Sequence, residues 1–505
     1  MNIKRLLIPS LLVGTGLVLT RKLFATTSTS KSVNDTSDNA IDAYVKAQMQ
    51  RLHIPGASLA IIEGDKIVHL RGLGKARPHG ETPTPHTPFF IGSITKSITA
   101  LAVMQLVEAG KVELDAPVQR YLPWFRVADP QVSAQMTVRH LLNQTSGMPF
   151  LASEIALANF DDRPDAIERQ VRALSTLKIS RPVGSEVEYS NFNYNILGLI
   201  VERVSGESYA GYIQHHIFDP LEMRHSYTRK ADAQKDGLAV GYRQWFSLPF
   251  PAPNWLVPLG SLPSGQLISC AEDMAHYLIA HLNGGRYGDR QILSRAGIEE
   301  MHRGVKELKM GELSGGFYGM GWFDTRIGCT RIVSHGGNTP DFSAYMALLP
   351  EHKRGVILLL NADPYGLPFV TDEVGAGMAV LLAEKQPPPI QLDFIKWIMR
   401  LLPLIPILQI VGVFSTLRKL RHWRNDPPLR PTRGLFWRRQ ILLPLIPNLS
   451  LAALLAYLRS SGMICFLNLF MPDLAWIARI SGTFAGIWTF LRAGLFLRVM
   501  RHRIE

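Results

Sequence analysis

In the stretch Ile91-Gly92-Ser93-Ile94-Thr95-Lys96-Ser97 an apolar, strand-like approach ends at a glycine and a helical pattern begins. Residues three apart on a helix share a face, so a helix opening at Ser93 points its hydroxyl and the Lys96 amine at one spot. The free N–H groups and positive dipole end of the helix lie behind them. A serine hydroxyl becomes a nucleophile when a neighbouring base removes its proton, and a desolvated lysine is such a base. Ser-x-x-Lys alone carries little weight, because Ser28-Thr29-Ser30-Lys31 repeats it in a polar tract unsuited to an active site.

Outward from this stretch, apolar positions at Ile94, Ile98, Leu101, Met104, Leu106 and Val107 predict an amphipathic helix from 93 to about 109. A helix is expected over 40–52, followed by strands at 57–63 and 66–71 around the turn signal Gly64-Asp65. Helical patterns recur at 137–143, 193–204, 208–217, 271–283 and 294–302, and strand-like runs return at 330–334, 342–349 and 355–360. Strands at both ends with helices between predict an α+β domain whose sheet is closed by distant parts of the chain.

The net charge of +13 is uneven: from residue 393 onward there are 16 Lys and Arg against 4 Asp and Glu. The preceding residues are therefore close to neutral and lack the basic surface that nucleic-acid binding needs. Cys270, Cys329 and Cys465 are far apart and match no metal-ligand spacing, and no disulfide is expected. Residues 1–25, with basic residues flanking an apolar run, read as a signal peptide or signal anchor, and 26–39 as a flexible tether. A Pro-rich linker over 385–392 separates the globular part, 40–384, from a tail over 393–505. Within that tail, 397–417, 441–458 and 480–497 are each long enough to cross a bilayer as a helix, and 463–476 reads better as an interfacial or re-entrant piece. Residues 418–439 hold eight Lys or Arg and one Asp, which places that loop in the cytoplasm and the globular part outside. Contact between these basic residues and anionic lipid is expected.

Two further motifs carry chemistry. Tyr189-Ser190-Asn191 is the sole Tyr-x-Asn in the chain and precedes a helix. A tyrosine near a lysine ammonium is driven toward phenolate and can relay protons; the plainer reading is a turn in which Asn191 caps the helix. His335-Gly336-Gly337 follows a strand, where two glycines let a ligand backbone come close and edge N–H groups can bind an oxyanion. His302-Arg303-Gly304 reads as a helix end, Ser208 as a helix cap and His140 as a packed or capping histidine. Neither a phosphate-binding loop nor His-Glu-x-x-His occurs.

In this order, Ser93-x-x-Lys96, Tyr189-x-Asn191 and His335-x-Gly337, the chain resembles the serine beta-lactamase and penicillin-binding protein superfamily, specifically its class C-related branch. Leu114-Asp115-Ala116-Pro117-Val118, Thr145-Ser146-Gly147 and Tyr318-Gly319-Met320-Gly321-Trp322 match as well, and the resemblance covers about 40–384. It implies an antiparallel sheet flanked by helices, a mostly helical second lobe and a site between them. It further implies Ser93 as acyl-accepting nucleophile and Lys96 and Tyr189 sharing acid/base work. Asn191, His335, Gly336 and Gly337 would bind substrate, the backbone N–H groups of Ser93 and Asn338 would form the oxyanion hole, and no metal or organic cofactor is implied. Beta-lactamases of this superfamily place Lys-Thr-Gly or a close variant where this chain has His335-Gly336-Gly337. A histidine of ordinary pKa, about 6.5, is mostly neutral at pH 7 and gives a substrate carboxylate no fixed charge. The His-x-Gly variant resembles D-amino-acid peptidases, D-alanyl-D-alanine carboxypeptidases and esterases. The expectation is therefore a multi-pass, membrane-anchored serine hydrolase facing outward, acting on a small peptide or ester. A non-catalytic receptor for cell-wall fragments or lipid is the alternative from another class, and a beta-lactamase the alternative among enzymes.

Overall fold

The computed structural model describes residues 37–252, 257–309, 315–390, 393–425 and 443–501. The expected signal segment, most of the tether, and the greater part of the basic loop (426–439) lie outside the described residues. We number only the strands of the main sheet and the helices that bear on the site or the tail.

Strands β1 (Gly56–Glu63) and β2 (Lys66–Gly74) open the sheet. The other six come late: β3 (Lys306–Lys309), β4 (Gly315–Tyr318), β5 (Phe323–Ile327), β6 (Thr330–Thr339), β7 (Phe342–Leu349) and β8 (Arg354–Leu360). The antiparallel order is β2-β1-β8-β7-β6-β5-β4-β3, so β1 pairs with β8 from the far end of the domain, with Ala57 opposite Leu360. Alternation of side chains across the strands feeds two cores. Leu59 and Ile61 of β1 and Val356 and Leu358 of β8 meet helices α1 (Ser37–Leu52) and α6 (Pro368–Leu382) on one face. Ala60, Ile62, Ile357 and Leu359 meet α2 (Thr95–Glu108), α4 (Asn191–Ser205) and α5 (Ala271–Leu282) on the other. Both faces of β1 and β8 are covered, which explains their unbroken apolar runs.

The expected elements form, with informative differences. The helix after Gly92 is buried at eleven of its 14 residues, so it is a central helix and not an amphipathic surface one. Residues 208–217 divide into a short α-helix, Tyr209–Ile213, and a π-helical turn, Gln214–Phe218. His335-Gly336-Gly337 lies inside β6 and does not follow it. Cys270, Cys329 and Cys465 are free thiols.

The Pro-rich linker is tied to the body: Lys385 Nζ donates to Ile327 O at 2.8 Å, and Ile390 is buried in the second core. The tail comprises α7 (Asp393–Leu401), α8 (Leu404–Asn425), α9 (Leu443–Ser460), α10 (Met463–Phe470) and α11 (Pro472–Arg501). Among the described residues α9 and α11 are long and apolar enough to cross a membrane, and α7 with α8, bent by 40°, makes a third candidate. The first expected span is thus broken between 401 and 404, and the third starts at Pro472, ahead of residue 480. Helix α10 has eight residues, about 12 Å, too short to cross a bilayer and in keeping with an interfacial piece.

Candidate active site

The two-residue strand Phe89–Phe90 pairs with Ile268–Ser269, and Ile91 N donates to Leu267 O at 3.1 Å. The chain then turns through Gly92, at φ +53°, into a single 3-10 turn, Gly92–Ile94, that runs into α2. Only glycine fits there, since a Cβ would lie 2.4 Å from the backbone nitrogen of Asn338. This turn leaves Ser93 half-buried and carries Lys96 to full burial.

Lys96 Nζ lies 2.9 Å from Ser93 Oγ, 2.6 Å from Asn191 Oδ1 and 2.6 Å from the carbonyl of Ser264. Three oxygens suit an ammonium. They equally suit a neutral amine that donates to the two carbonyl oxygens and accepts from the serine O–H. Burial holds the lysine well below its ordinary pKa, and the carboxyl of Glu154 opposes that shift.

Tyr189 lies near Ser93, and its ring centroid is 4.8 Å from Lys96 Nζ. Contrary to the expectation of phenolate character, burial and the neighbouring Tyr318 raise the Tyr189 phenol above its ordinary pKa, so it stays protonated. His335, 2% exposed, sits among Tyr189, Tyr318 and Phe323. Its Nδ1 is 2.5 Å from Gly336 O and its Nε2 is 3.3 Å from the Tyr318 hydroxyl. Burial, then the Lys96 charge, push its pKa down to about 3, so the imidazole is neutral.

Gly336 and Gly337 serve the protein's own packing, whereas the sequence suggested room for a ligand backbone. A Cβ on Gly336 would lie 1.8 Å from Asp372 Oδ1 of α6, and one on Gly337 would lie 2.0 Å from Ile91 O. They let β6 press against α6 on one side and against the Ser93 turn on the other. That pressure brings the Asn338 backbone beside Gly92, while the Asn338 side chain donates to Asp363 Oδ1 and Thr371 Oγ1 at 3.0 Å each. Asp372 itself is pushed up to about 8 by burial and by Glu373.

Asn191 is 7% exposed, and both ends of its amide are engaged. Its Oδ1 accepts from Lys96, and its Nδ2 donates to Glu154 Oε1 at 2.8 Å. It opens α4 without capping it, since Ser190 holds the cap position. Its backbone N–H donates to Ser153 Oγ at 3.1 Å. Ser153 and Glu154 belong to α3 (Phe150–Ala156). Sequence reasoning missed Glu154, although a signal was present: it is the sole charge between 147 and 160. At 8% exposure its carboxyl is raised by burial, against the pull of Lys96.

The residues set aside behave as structural ones. His302 is buried with its Nε2 3.0 Å from His281 Nδ1, Ser208 Oγ accepts from Gly211 N, and His140 forms a capping box with Thr137. Among the described residues no His, Cys, Asp or Glu side chains gather in a set able to hold a metal ion.

The sequence matches a family profile described as beta-lactamase over residues 41–376. Protein flp of Staphylococcus aureus strain MW2 is 29% identical over 346 residues, covering 68% of this chain and 66% of that protein, just under two thirds of its length. Penicillin-binding protein 4 of Amycolatopsis lactamdurans is 31% identical over 324 residues, covering 63% of this chain and 84% of that protein. The octameric penicillin-binding protein homologue from Pyrococcus abyssi is a structural relative with a TM-score of 0.59 and 31% identity, over 69% of this chain and 78% of that one.

Proposed function

The chain belongs to the beta-lactamase family, whose members are serine hydrolases, and from that premise we propose that it forms an acyl-enzyme on Ser93 at the outer face of a membrane. Its substrates on this reading are cell-wall-type peptides ending in D-amino acids, or esters. The observation that carries the proposal is the contact set around one amine, with Lys96 Nζ 2.9 Å from Ser93 Oγ and fully buried.

The neutral Lys96 amine takes the proton of Ser93 as Oγ bonds to the substrate carbonyl carbon. The resulting oxyanion points at the backbone N–H groups of Ser93 and Asn338, each such donor contributing about 3 kcal/mol to lowering the barrier. Tyr189 gives its proton to the departing amine or alkoxide and recovers one from the lysine ammonium, which releases the first product. Water then attacks the ester on Ser93, loses its proton along the same relay, and frees the acid. A phenol that stays protonated suits the donor half of this cycle. The neutral, enclosed His335 offers a substrate carboxylate no charge, which favours esters and amides lacking a carboxylate over beta-lactams. The apolar helices α9 and α11, and the bent pair α7 and α8, support a multi-pass anchor, with the basic residues from Arg418 on the cytoplasmic side.

The test uses the full chain in nanodiscs with a fluorophosphonate, followed by a substrate panel of p-nitrophenyl esters, D-amino-acid amides, D-alanyl-D-alanine peptides and nitrocefin. We expect a label on wild type and none on Ser93→Ala, with turnover of esters or D-peptides well above that of nitrocefin. Equal labelling of both proteins, or of neither, sinks the reading and favours a binding protein.

A further inference from the structure

One short helix belongs to both the candidate site and the membrane tail. On α3, Ser153 and Glu154 hold Asn191, which holds Lys96. The next residue, Ile155, meets the tail: a Cβ on Gly462, the residue before α10, would lie 2.9 Å from Ile155 Cδ1. Helix α10 links the end of α9 to the start of α11, so it lies at the membrane face where one candidate span ends and the other begins.

The body touches that same face at two more places. Phe246 N donates to Asp473 Oδ2 at 2.8 Å, at the first turn of α11. Gly366 packs so closely on Phe470 that a Cβ would lie 2.4 Å from its carbonyl oxygen. Three separated contacts seat the body on the helices that would cross the membrane, which one span behind a flexible tether cannot do. From Glu154, the neighbour of Ile155, hydrogen bonds run in series through Asn191 and Lys96 to Ser93. The first residue of α3, Phe150, is 44% exposed and donates its backbone N–H to Glu188 Oε1, one residue before Tyr189, so an apolar side chain stands near the rim of the site.

We propose that the acyl donor is an amphiphile held in the bilayer, whose hydrocarbon anchor stays in the leaflet beneath α10 while its ester or amide reaches Ser93. This rests on the serine-hydrolase reading and adds the physical state of the substrate. A donor confined to the surface meets the nucleophile at a high local concentration, and the anchor restricts its approach to one direction.

The test compares two p-nitrophenyl esters with the same scissile bond, N-acetyl-D-alanine p-nitrophenyl ester, free in water, and its N-palmitoyl counterpart, anchored in the bilayer. The full chain is reconstituted in phosphatidylcholine vesicles, and Ser93 labelling by a fluorophosphonate is measured on the same preparation. We expect kcat/KM for the anchored ester to exceed that for the soluble one by about tenfold or more. At constant total ester, the anchored rate should fall in proportion as added phospholipid dilutes it within the membrane. A labelled enzyme that turns over both esters equally, or whose anchored rate ignores surface dilution, overturns this proposal and leaves the hydrolase reading standing. An enzyme without label overturns both.

Discussion

Lys96 and Glu154 are two buried ionisable groups joined through one amide, Asn191. Each sets the charge of the other: the carboxyl favours the ammonium, and burial opposes both charges. Removing the carboxylate in Glu154→Gln keeps the hydrogen bond from Asn191 and deletes the opposing charge. The Lys96 pKa then falls, and the acidic limb of the pH profile for Ser93 acylation moves toward lower pH by about one unit. Fluorophosphonate labelling rates measured across pH check this, and a limb that stays put or moves up refutes it. That Ser93, Lys96 and Tyr189 come together was legible because each sits in a short motif. Glu154 was not, because its role depends on α3 folding back over Asn191, a contact between residues 37 apart that no local pattern encodes. Phenolate character at Tyr189 was misjudged for a related reason: a sequence shows the neighbouring cation but not the desolvation that outweighs it.

At the scale of elements, the site depends on how closely β6 approaches the turn before α2. Gly337→Ala places a Cβ 2.0 Å from Ile91 O and 3.2 Å from Ile94 N, so strand and turn must separate. Overpacking of this kind costs about 1–3 kcal/mol. We expect a lower melting temperature together with acylation of Ser93 slowed about tenfold or more, since the Asn338 N–H moves away from the carbonyl it would bind. Thermal unfolding and labelling kinetics on the full chain check both; an unchanged labelling rate counts against the oxyanion role. The strands were legible as apolar runs, and their antiparallel closure followed from their position at both ends. The all-round burial of α2 was not, because Thr95, Ser97 and Thr99 are polar and a sequence does not show their partners. In the fold, Thr95 Oγ1 accepts from Leu267 N, Ser97 Oγ donates to Ile94 O, and Thr99 Oγ1 shares a hydrogen bond with the Tyr209 hydroxyl, so these polar groups are satisfied inside the protein.

At the scale of the whole molecule, the tail is seated on the body and not merely attached to it. Met399 of α7 joins Ile390 in the second core, and Asp473 of α11 holds the hairpin turn at Phe246. Asp473→Ala removes the acceptor of that N–H. A hydrogen bond of about 1 kcal/mol corresponds to roughly fivefold faster amide exchange at Phe246, with no change along β8. Hydrogen exchange on the reconstituted full chain reads this out; equal acceleration at both places would mean general destabilisation. The apolar helices α9 and α11 were legible from hydropathy. Their docking was not, because the contacts rest on single residues such as Gly462 and Gly366 whose neighbours come from distant parts of the chain.

The pairing of β1 with β8 has a consequence for biosynthesis. The Gly56 N–H is satisfied by the Asn361 side chain, 305 residues further on. Until the strand before that residue has left the ribosome, β1 has β2 along one edge and no partner along the other. It is an apolar, unpaired edge of the kind that associates with other chains. The sheet therefore stays open along that edge through most of synthesis, and closes only about when α7 and the apolar helices behind it are being made. Completion of the main sheet and emergence of the apolar tail then become nearly simultaneous events in the life of the chain.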